Sequence, residues 1–459
     1  MLDQAQAQSI FDRMRKFSFG GELEVIFSSV DHALTRFANN TIHQNVAELN
    51  EVASVRVAFD GKTARATTNR FDDDSLKRAL QAAESMARVQ ESDSDRLPMA
   101  PSEMASRNGA PSRWSDQTAA IAPPDRAEAV RKIVQVAKKN RLVTAGIYSS
   151  SRSAEIVVNS NGLAAYHRQT TAEVSITMLA DDSSGWQKAN APEVASFDPV
   201  RLAEIAAQKA RGSHSPRELP PGKYTVILEP AAVLDLVGFM FWDFGGQAIL
   251  DQRSFLNNRI GTQLFGENIT IVDDVYHALQ SNAPFDGEGV RRQRVNLVEK
   301  GVIKNLVYAR STAEKMRKSE YAAKVGAISE TGHGFPLPNE IGEAPLNVVF
   351  ITPGNEQTLE QMIAGTDHGI LITRLWYIRE VDPYEKILTG MTRDGTFLIE
   401  NSKVAHGIRN FRFNQSLIEM LSNVEAMSKA VRASGEESFD MVVPAMKVRD
   451  FNFTEVTRF

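Results

Sequence analysis

Apolar and polar residues follow two different periods along this chain, and together they predict a mixture of strands and helices. Alternation with a period of two indicates three or four short strands over residues 22–70, and strand-like runs resume at Val143. Apolar residues at helical spacing predict helices at 4–17, 76–89 and 126–140. This mixture favours the α+β fold class.

Two stretches of the first half share one layout. Residues 58–88 and 180–211 each contain a Gly turn, a strand-like run, a Phe-Asp pair at a helix entry and an Ala-rich helix that ends in Arg. Leu76 and Leu202 hold matching places in the two helices. The layout predicts two copies of one unit of strands and helix, the alternative being a chance similarity of two Ala-rich helices.

A polar, Pro-rich segment without periodicity at 213–222 predicts a domain boundary. We therefore expect an N-terminal domain over residues 1–215, in which 91–124 forms a surface loop. The C-terminal domain, residues 220–459, is expected to be built on a largely antiparallel sheet with flanking helices.

The stretch from Gly369 to Gly407 is the most regular part of the C-terminal half. A run rich in β-branched and aromatic residues ends at Asp382-Pro383, because Pro cannot continue a strand ladder. Asp394-Gly395 and Asn401-Ser402 are dipeptides that favour turns. The pattern predicts an antiparallel meander, whose charged first turn is either a solvated rim or one wall of a cleft.

Further elements are expected around this meander. The pattern predicts a strand at 223–229 that leads into a helix at 230–244. Helices are expected on both sides of the meander, at 358–364 and 416–433, and a final strand at 441–453.

Composition narrows the class of protein. Of the 459 residues, 42% are hydrophobic and 24% are charged, as in an ordinary soluble globular protein, and the net charge of −5 argues against nucleic-acid binding. The absence of cysteine excludes disulfides, thiolate catalysis and Cys-based zinc sites. The apolar run 231–250 contains Asp235 and Asp243, so it indicates a buried helix and not a membrane span. No secretory signal is visible, and we expect a cytoplasmic location without membrane contact.

Motifs of catalysis are scarce. None of the eight histidines has the paired spacing of a helical metal site, and no nucleotide-binding glycine pattern or Gly-x-Ser-x-Gly elbow occurs. His333 and His368 lie in loops with small neighbours, where they could line a groove. The alternative is that each is a loop histidine bonded to backbone or water.

Four segments carry a resemblance to a known family: residues 55–61 (VRVAFDG), 158–162 (VNSNG), 285–302 (FDGEGVRRQR followed by GV at its end) and 398–404 (LIENSKV). In their order and spacing they resemble the TldD/PmbA family, cytosolic zinc peptidases also called modulators of DNA gyrase. The likeness covers nearly the whole chain. Ser402 stands where the family motif has Gly.

The resemblance implies a chain without catalytic residues or a metal of its own. The catalytic branch carries His-Glu-x-x-x-His on the helix that here spans Ala231–Phe244, and this helix contains neither His nor Glu. It also carries a cysteine near the C-terminus, and the segment Glu436–Lys447 has none. The chain is therefore similar to the TldE/PmbA branch. Members of that branch pair with a TldD-like catalytic subunit, which would supply the zinc and help enclose an extended peptide beside sheet edges.

The sequence leaves three candidate functions. The first is a non-catalytic, peptide-cradling subunit of a TldD/TldE-type protease. The second is a self-contained peptidase with a relocated metal site or with no metal. The third is a homodimeric peptide-binding scaffold. The apolar run Phe239–Trp242 suits burial at a dimer interface, although core packing explains it equally well.

Peptide-binding residues are predicted on the first strand of the meander and just before it: His368, Gly369, Arg374, Tyr377 and Glu380. An unpaired buried Arg374 would be costly, so we expect it to meet Glu380 or a peptide carboxylate in a cleft. The alternative is a surface ion pair between Arg374 and Glu380 that contributes at most about 1 kcal/mol.

Overall fold

Three sheets with helices packed on them form the structure, a computed structural model that describes residues 1–18, 20–105, 110–326 and 328–457. The prediction of an α+β fold with two domains is confirmed. The exact division near residues 213–222 stays a prediction. Within the described ranges, no helix is both long enough and apolar enough to span a bilayer.

The N-terminal half places six strands in one antiparallel sheet of order β3-β2-β1-β4-β5-β6. Its elements are α1 (Gln4–Arg15), β1 (Glu22–Ala38), β2 (Thr41–Phe59), β3 (Lys62–Thr68), α2 (Asp73–Val89), α3 (Asp116–Ala119), α4 (Pro123–Lys139), β4 (Val143–Asn159), β5 (Ala164–Leu179), β6 (Ser184–Ala191) and α5 (Pro199–Gly212), with 3-10 turns at Ser102–Met104 and Val194–Ser196. The first two strands are 17 and 19 residues long, so the prediction of short runs was wrong there.

The predicted duplication is confirmed. Each half of the sheet is one helix-strand-strand-strand-helix unit, and the two units join where β1 pairs with β4. Asp72 and Asp198, the acidic members of the two Phe-Asp pairs, accept backbone N–H groups at the starts of α2 and α5. The hairpin turn at Asp60-Gly61 also forms as predicted, with both residues at positive φ.

The two faces of this sheet differ in character. One face is apolar and packs against α1, α2, α4 and α5. The opposite face carries a run of polar residues on β1, β4 and β5, which we call the polar sheet face: Ser28, Ser153, Glu155, His167, Gln169 and Glu173. Alternation along paired strands places these side chains on one side.

The segment 91–124 is more than a surface loop. Met99 and Ala100 are buried, and Arg113 donates to the backbone oxygens of Val275, His277 and Ala278. Together with α3, these contacts tie the segment to both halves of the chain. Residues 106–109 of the predicted loop lie outside the described residues.

The C-terminal half contains two sheets, of orders β10-β9-β8-β11-β18-β17 and β12-β7-β19-β15-β13-β14. Its elements are β7 (Gly222–Leu228), α6 (Pro230–Val237), a 3-10 segment (Gly238–Asp243), α7 (Gly246–Leu250), β8 (Ile271–Asp273), β9 (Val295–Glu299), β10 (Val302–Ile303), α8 (Arg310–Lys318), β11 (Val348–Phe350), α9 (Leu359–Ala364), β12 (His368–Asp382), β13 (Ile387–Glu400), β14 (Lys403–Gly407), β15 (Phe411–Ser416), α10 (Leu417–Ser422), β16 (Val424–Met427), β17 (Val431–Ala433), β18 (Met441–Val443) and β19 (Met446–Val456). Because β12 also pairs with β13, five strands of the second sheet close into a ring around a large apolar core.

Three sequence predictions fail in this half. Asp394-Gly395 is a bulge inside β13 and not a turn, because Thr373 of β12 faces both residues. The helix predicted at 416–433 ends at Ser422, and its remainder forms β16 and β17, which pair with β19 and β18. The helix predicted at 230–244 is α-helical only to Val237 and continues as a 3-10 segment.

Candidate functional site

The two segments in which the resemblance places the zinc ligands of a catalytic chain, α6 and the segment around Glu436, meet in this structure. Helix α6 contributes Asp235, whose Oδ1 accepts the backbone N–H groups of Glu436 and Glu437 at 3.2 and 3.0 Å. A Cβ atom on Gly435 would lie 2.1 Å from the same oxygen, so the close approach requires glycine. We call these four residues the Asp235 centre.

Asp235 is fully buried, and its Oδ2 has no hydrogen-bond partner among the described residues. Burial raises the pKa of this carboxyl to about 7, and the nearby Glu437 carboxylate adds to the rise against the effect of the two backbone N–H groups. The centre therefore holds a carboxyl group that takes up a proton near neutral pH.

The Asp235 centre does not fit a zinc ion. The neighbours of Asp235 on α6 are Leu234, Leu236 and Val237, whose buried side chains offer no ligand atom, and the chain contains no cysteine. Within residues 1–18, 20–105, 110–326 and 328–457, no three His, Asp or Glu side chains are arranged to hold a metal ion. One oxygen of Asp235 is already occupied by backbone donors.

The rim of the ring of strands reaches this centre through Glu437. The N–H of Tyr377 donates to Glu437 Oε1 at 2.7 Å, and Arg379 Nη1 lies 3.8 Å from Glu437 Oε2. Tyr377 has a positive φ of 54° at a bulge of β12, which is unusual for a bulky residue. Its side chain is half exposed, with the Arg379 guanidinium over its ring. Glu437 thus connects the predicted rim to the buried Asp235.

Arg374 is held elsewhere than predicted. It is buried, and its Nε donates to Asp394 Oδ2 at 2.7 Å. Its guanidinium lies 4.8 Å from the ring of Trp186 on β6, and Ser184 of the same strand donates to Asp394 Oδ1. The expected pairing with Glu380 is wrong, because Glu380 lies in the exposed rim and accepts a hydrogen bond from Lys386. Arg374 therefore connects β12 and β13 to the N-terminal sheet.

The predicted peptide-binding residues do not form one cluster. His368, at the start of β12, is exposed and packs beside Tyr224, and Gly369 fits closely against the Thr225 carbonyl. Nine residues of extended strand, about 30 Å, separate His368 from Tyr377. Peptide binding by these residues stays a prediction.

His333 belongs to the core. Its ring nitrogens lie 2.9 Å from Asp273 Oδ1 and 2.9 Å from Thr331 Oγ1, and the residue is buried. It does not line a groove. Its partners are side chains, whereas the alternative considered from the sequence was a bond to backbone or water.

Sequence reasoning missed the Asp235 centre, although one signal was present. An aspartate inside a strongly apolar helix needs a specific partner, because burying a lone carboxylate is costly. That Asp235 meets the segment containing Glu436 and Glu437, two hundred residues away, is not readable from local pattern.

Comparison with known families agrees with this architecture. The sequence model of the PmbA/TldA metallopeptidase C-terminal domain matches residues 221–455, that of domain 1 matches 23–87, and that of the central domain matches 116–213. Two of these models fall in the N-terminal half and the third spans the C-terminal half. The chain belongs to the TldD/PmbA family, as the sequence resemblance indicated.

Individual relatives are distant. The chain is 21% identical over 332 residues to the metalloprotease PmbA of Escherichia coli O157:H7, covering 70% of this chain and 68% of that one. It is 31% identical over 183 residues to an uncharacterized protein of Methanocaldococcus jannaschii, covering 39% of this chain and 43% of the relative, so that match spans less than half of either. The crystal structure of TldE from Thermococcus kodakarensis superposes with a TM-score of 0.84 at 19% identity, over 98% of this chain and all of that one. This likeness confirms the fold.

Proposed function

We propose that this chain is a non-catalytic subunit of a TldD/TldE-type cytosolic metalloprotease complex, in which it holds an extended peptide for a zinc-bearing catalytic partner. The observation that carries the proposal is the Asp235 centre. By the sequence resemblance, its two segments correspond to those that hold zinc ligands in the catalytic branch, and here they contain leucine, valine and a carboxylate bound by backbone donors. A self-contained peptidase would need its ligands elsewhere.

An open sheet edge supports the peptide-holding role. Strand β2 pairs with β1 along nearly its whole length, but β3 pairs only with Ala53–Phe59. The outer edge of residues 41–52 therefore has no strand partner among the described residues. An extended peptide can add to such an edge through backbone hydrogen bonds, with little demand on its sequence. Most side chains of this stretch are polar and exposed, which limits unwanted pairing between copies.

Hydrogen exchange tests this role. On addition of an extended, unfolded peptide, alternate backbone amides within residues 41–52 are expected to exchange more slowly, because every second N–H of an edge strand points outward. The matched control is internal: amides of Ala53–Phe59 already have β3 as a partner and should not change. Peptide binding that leaves 41–52 unprotected would contradict the proposed edge.

A homodimeric scaffold is the second candidate. Within the run Phe239–Trp242, Met240 and Phe241 are buried in the core, so they follow the core-packing alternative. Trp242 is 45% exposed and stacks on Phe335, with ring centroids 6.0 Å apart. An exposed tryptophan suits a contact with another chain. Mass measurement of the purified assembly distinguishes a TldD-like subunit from a second copy.

A further inference from the structure

A cavity of about 380 Å³ separates the polar sheet face from loops of the C-terminal half. The sheet contributes Glu155, His167 and Gln169 to its wall, and the loops contribute Arg292 and Phe335. The cavity is distinct from the Asp235 centre and from the rim of β12, since none of their residues lines it. Arg292 lies in the segment 285–302, which carries part of the family resemblance.

Arg292 is the unusual group in this cavity. It is only 9% exposed, and its Nε donates to the Phe285 carbonyl at 3.1 Å. Its Nη1 is buried without a hydrogen-bond partner, and no carboxylate of the described residues lies within ion-pair distance of the guanidinium. The charge of Arg292 acts on the carboxyl groups of Asp273, Asp286 and Glu155, although none of them is in ion-pair contact with it. A buried guanidinium N–H without an acceptor is costly, so the position is suited to an anionic group that enters from the cavity.

The neighbouring carboxylate of Asp286 is not available to Arg292. Its Oδ1 accepts the N–H groups of Glu288 and Val290, and its Oδ2 accepts that of Gly334. These backbone contacts fix Asp286 in its loop. Asp273, on which the charge of Arg292 also acts, is likewise engaged, by His333 and by the N–H of Asn347. The free N–H of the guanidinium is therefore left for an external ligand.

We propose that this cavity binds the C-terminal α-carboxylate of a peptide, with Arg292 as the cation that receives it. That the ligand is a peptide rests on the proposed function. The cavity indicates which part of the peptide is recognised, its C-terminus. A planar guanidinium matches a carboxylate in shape and charge. The cavity wall also combines the amide group of Gln169, suited to a peptide backbone, with the apolar Phe335 and Leu346, suited to a side chain. The amide of Asn282 on the same wall already donates to Leu346 and Asn347.

The opposite wall favours a singly charged ligand over phosphate. Glu155 faces the cavity from β4 and is reached by solvent there. Burial in the surrounding wall raises its pKa, against the opposing effect of Arg292. When it is ionised, Glu155 repels a dianion more strongly than it repels a peptide terminus. Glu155 also provides a position in the same cavity at which a control variant can be made.

The test compares two peptides of one sequence, one ending in a free carboxylate and one ending in an amide, both with an N-terminal fluorophore. Binding to the full chain is measured by fluorescence anisotropy. The acid is expected to bind about tenfold more tightly, the size of one charge-assisted hydrogen-bonded pair. An acid-to-amide ratio near one in the unmodified protein would overturn the proposal without any variant.

Two variants locate the effect. Arg292→Gln is expected to bring the acid-to-amide ratio to about one and to leave amide binding unchanged. Glu155→Gln, on the opposite wall, is expected to keep or enlarge the ratio, and both variants are first checked for an unchanged circular dichroism spectrum. If Arg292→Gln does not fold, the ratio in the unmodified protein decides. Persistence of the ratio in a folded Arg292→Gln protein would contradict the assignment.

Further outcomes separate this inference from the proposed function. If both peptides bind equally well and protect residues 41–52 from exchange, the carboxylate site is contradicted but the proposed function is supported. Failure of both peptides to bind would remove the proposed function. If millimolar inorganic phosphate displaces the acid peptide but not the amide peptide, the cavity is a general anion site and not a site for a peptide terminus.

Discussion

Replacement of Arg374 by Ala is expected to lower the free energy of unfolding by about 3–5 kcal/mol, the usual cost of removing one partner of a buried ion pair. Arg374 and Asp394 are 6% and 5% exposed, so Asp394 would be left buried without its close cation, with only the half-exposed Arg393 nearby. The variant also loses the contact with Trp186 that joins the two halves of the chain. Thermal and denaturant unfolding of the full chain would measure the loss.

Arg393→Ala is the matched control. Arg393 lies on the same pair of strands, 3.7 Å from Asp394, but its side chain is 47% exposed. Its removal is expected to cost less than about 1 kcal/mol. Equal small losses for both variants would contradict the structural role of Arg374. A fall in melting temperature would also mean that Arg374→Ala cannot by itself report on the peptide binding predicted for Arg374.

Asp235→Asn is expected to stabilise the protein at pH 8 by up to about 4 kcal/mol and to lose most of that advantage by pH 5. The pKa of Asp235 is raised from 3.8 to about 7, so the folded chain favours the protonated acid. The stability that this neutral acid contributes is fully present below pH about 4 and is lost as pH rises through about 7. Asn is neutral throughout and can still accept the two backbone N–H groups. Melting temperatures of both proteins across this range measure the difference.

Asp235→Leu separates charge from hydrogen bonding. Leucine is also uncharged, but it leaves the N–H groups of Glu436 and Glu437 without their acceptor. It is expected to be less stable than Asp235→Asn at both pH values. A difference between Asn and Asp that stays constant from pH 5 to pH 8 would contradict the raised pKa.

Local signals explain what could be predicted of the fold. Asp72 and Asp198 cap helices from within Phe-Asp pairs, and Asp60-Gly61 closes a two-residue hairpin, so the duplicated units were visible in the sequence. Asp394-Gly395 has the same turn composition, yet pairing with β12 keeps it inside a strand. Residues 424–433 have helical spacing, yet β18 and β19 offer them a sheet edge. Partner strands distant in sequence decide such cases.

The candidate site was predicted only in part. The rim at Tyr377 does reach the segment that lacks the family's cysteine, through Glu437. The partner of Arg374 could not be inferred, because a bulge breaks the alternation of β12 and the contact with Trp186 comes from another sheet. Nor does any local pattern place Arg292 opposite Glu155 across a cavity.

Co-purification with a TldD-type homologue from the same source, one that carries His-Glu-x-x-x-His and a C-terminal cysteine, tests the central claim most directly. Mass measurement, zinc content and cleavage of an unfolded peptide are determined for each chain alone and for the mixture. We expect a complex of the two chains, with zinc in the partner. This chain is expected to increase cleavage by the partner and to hydrolyse no peptide when it is alone. Chelator-sensitive cleavage and about one tightly held zinc in this chain alone would contradict it.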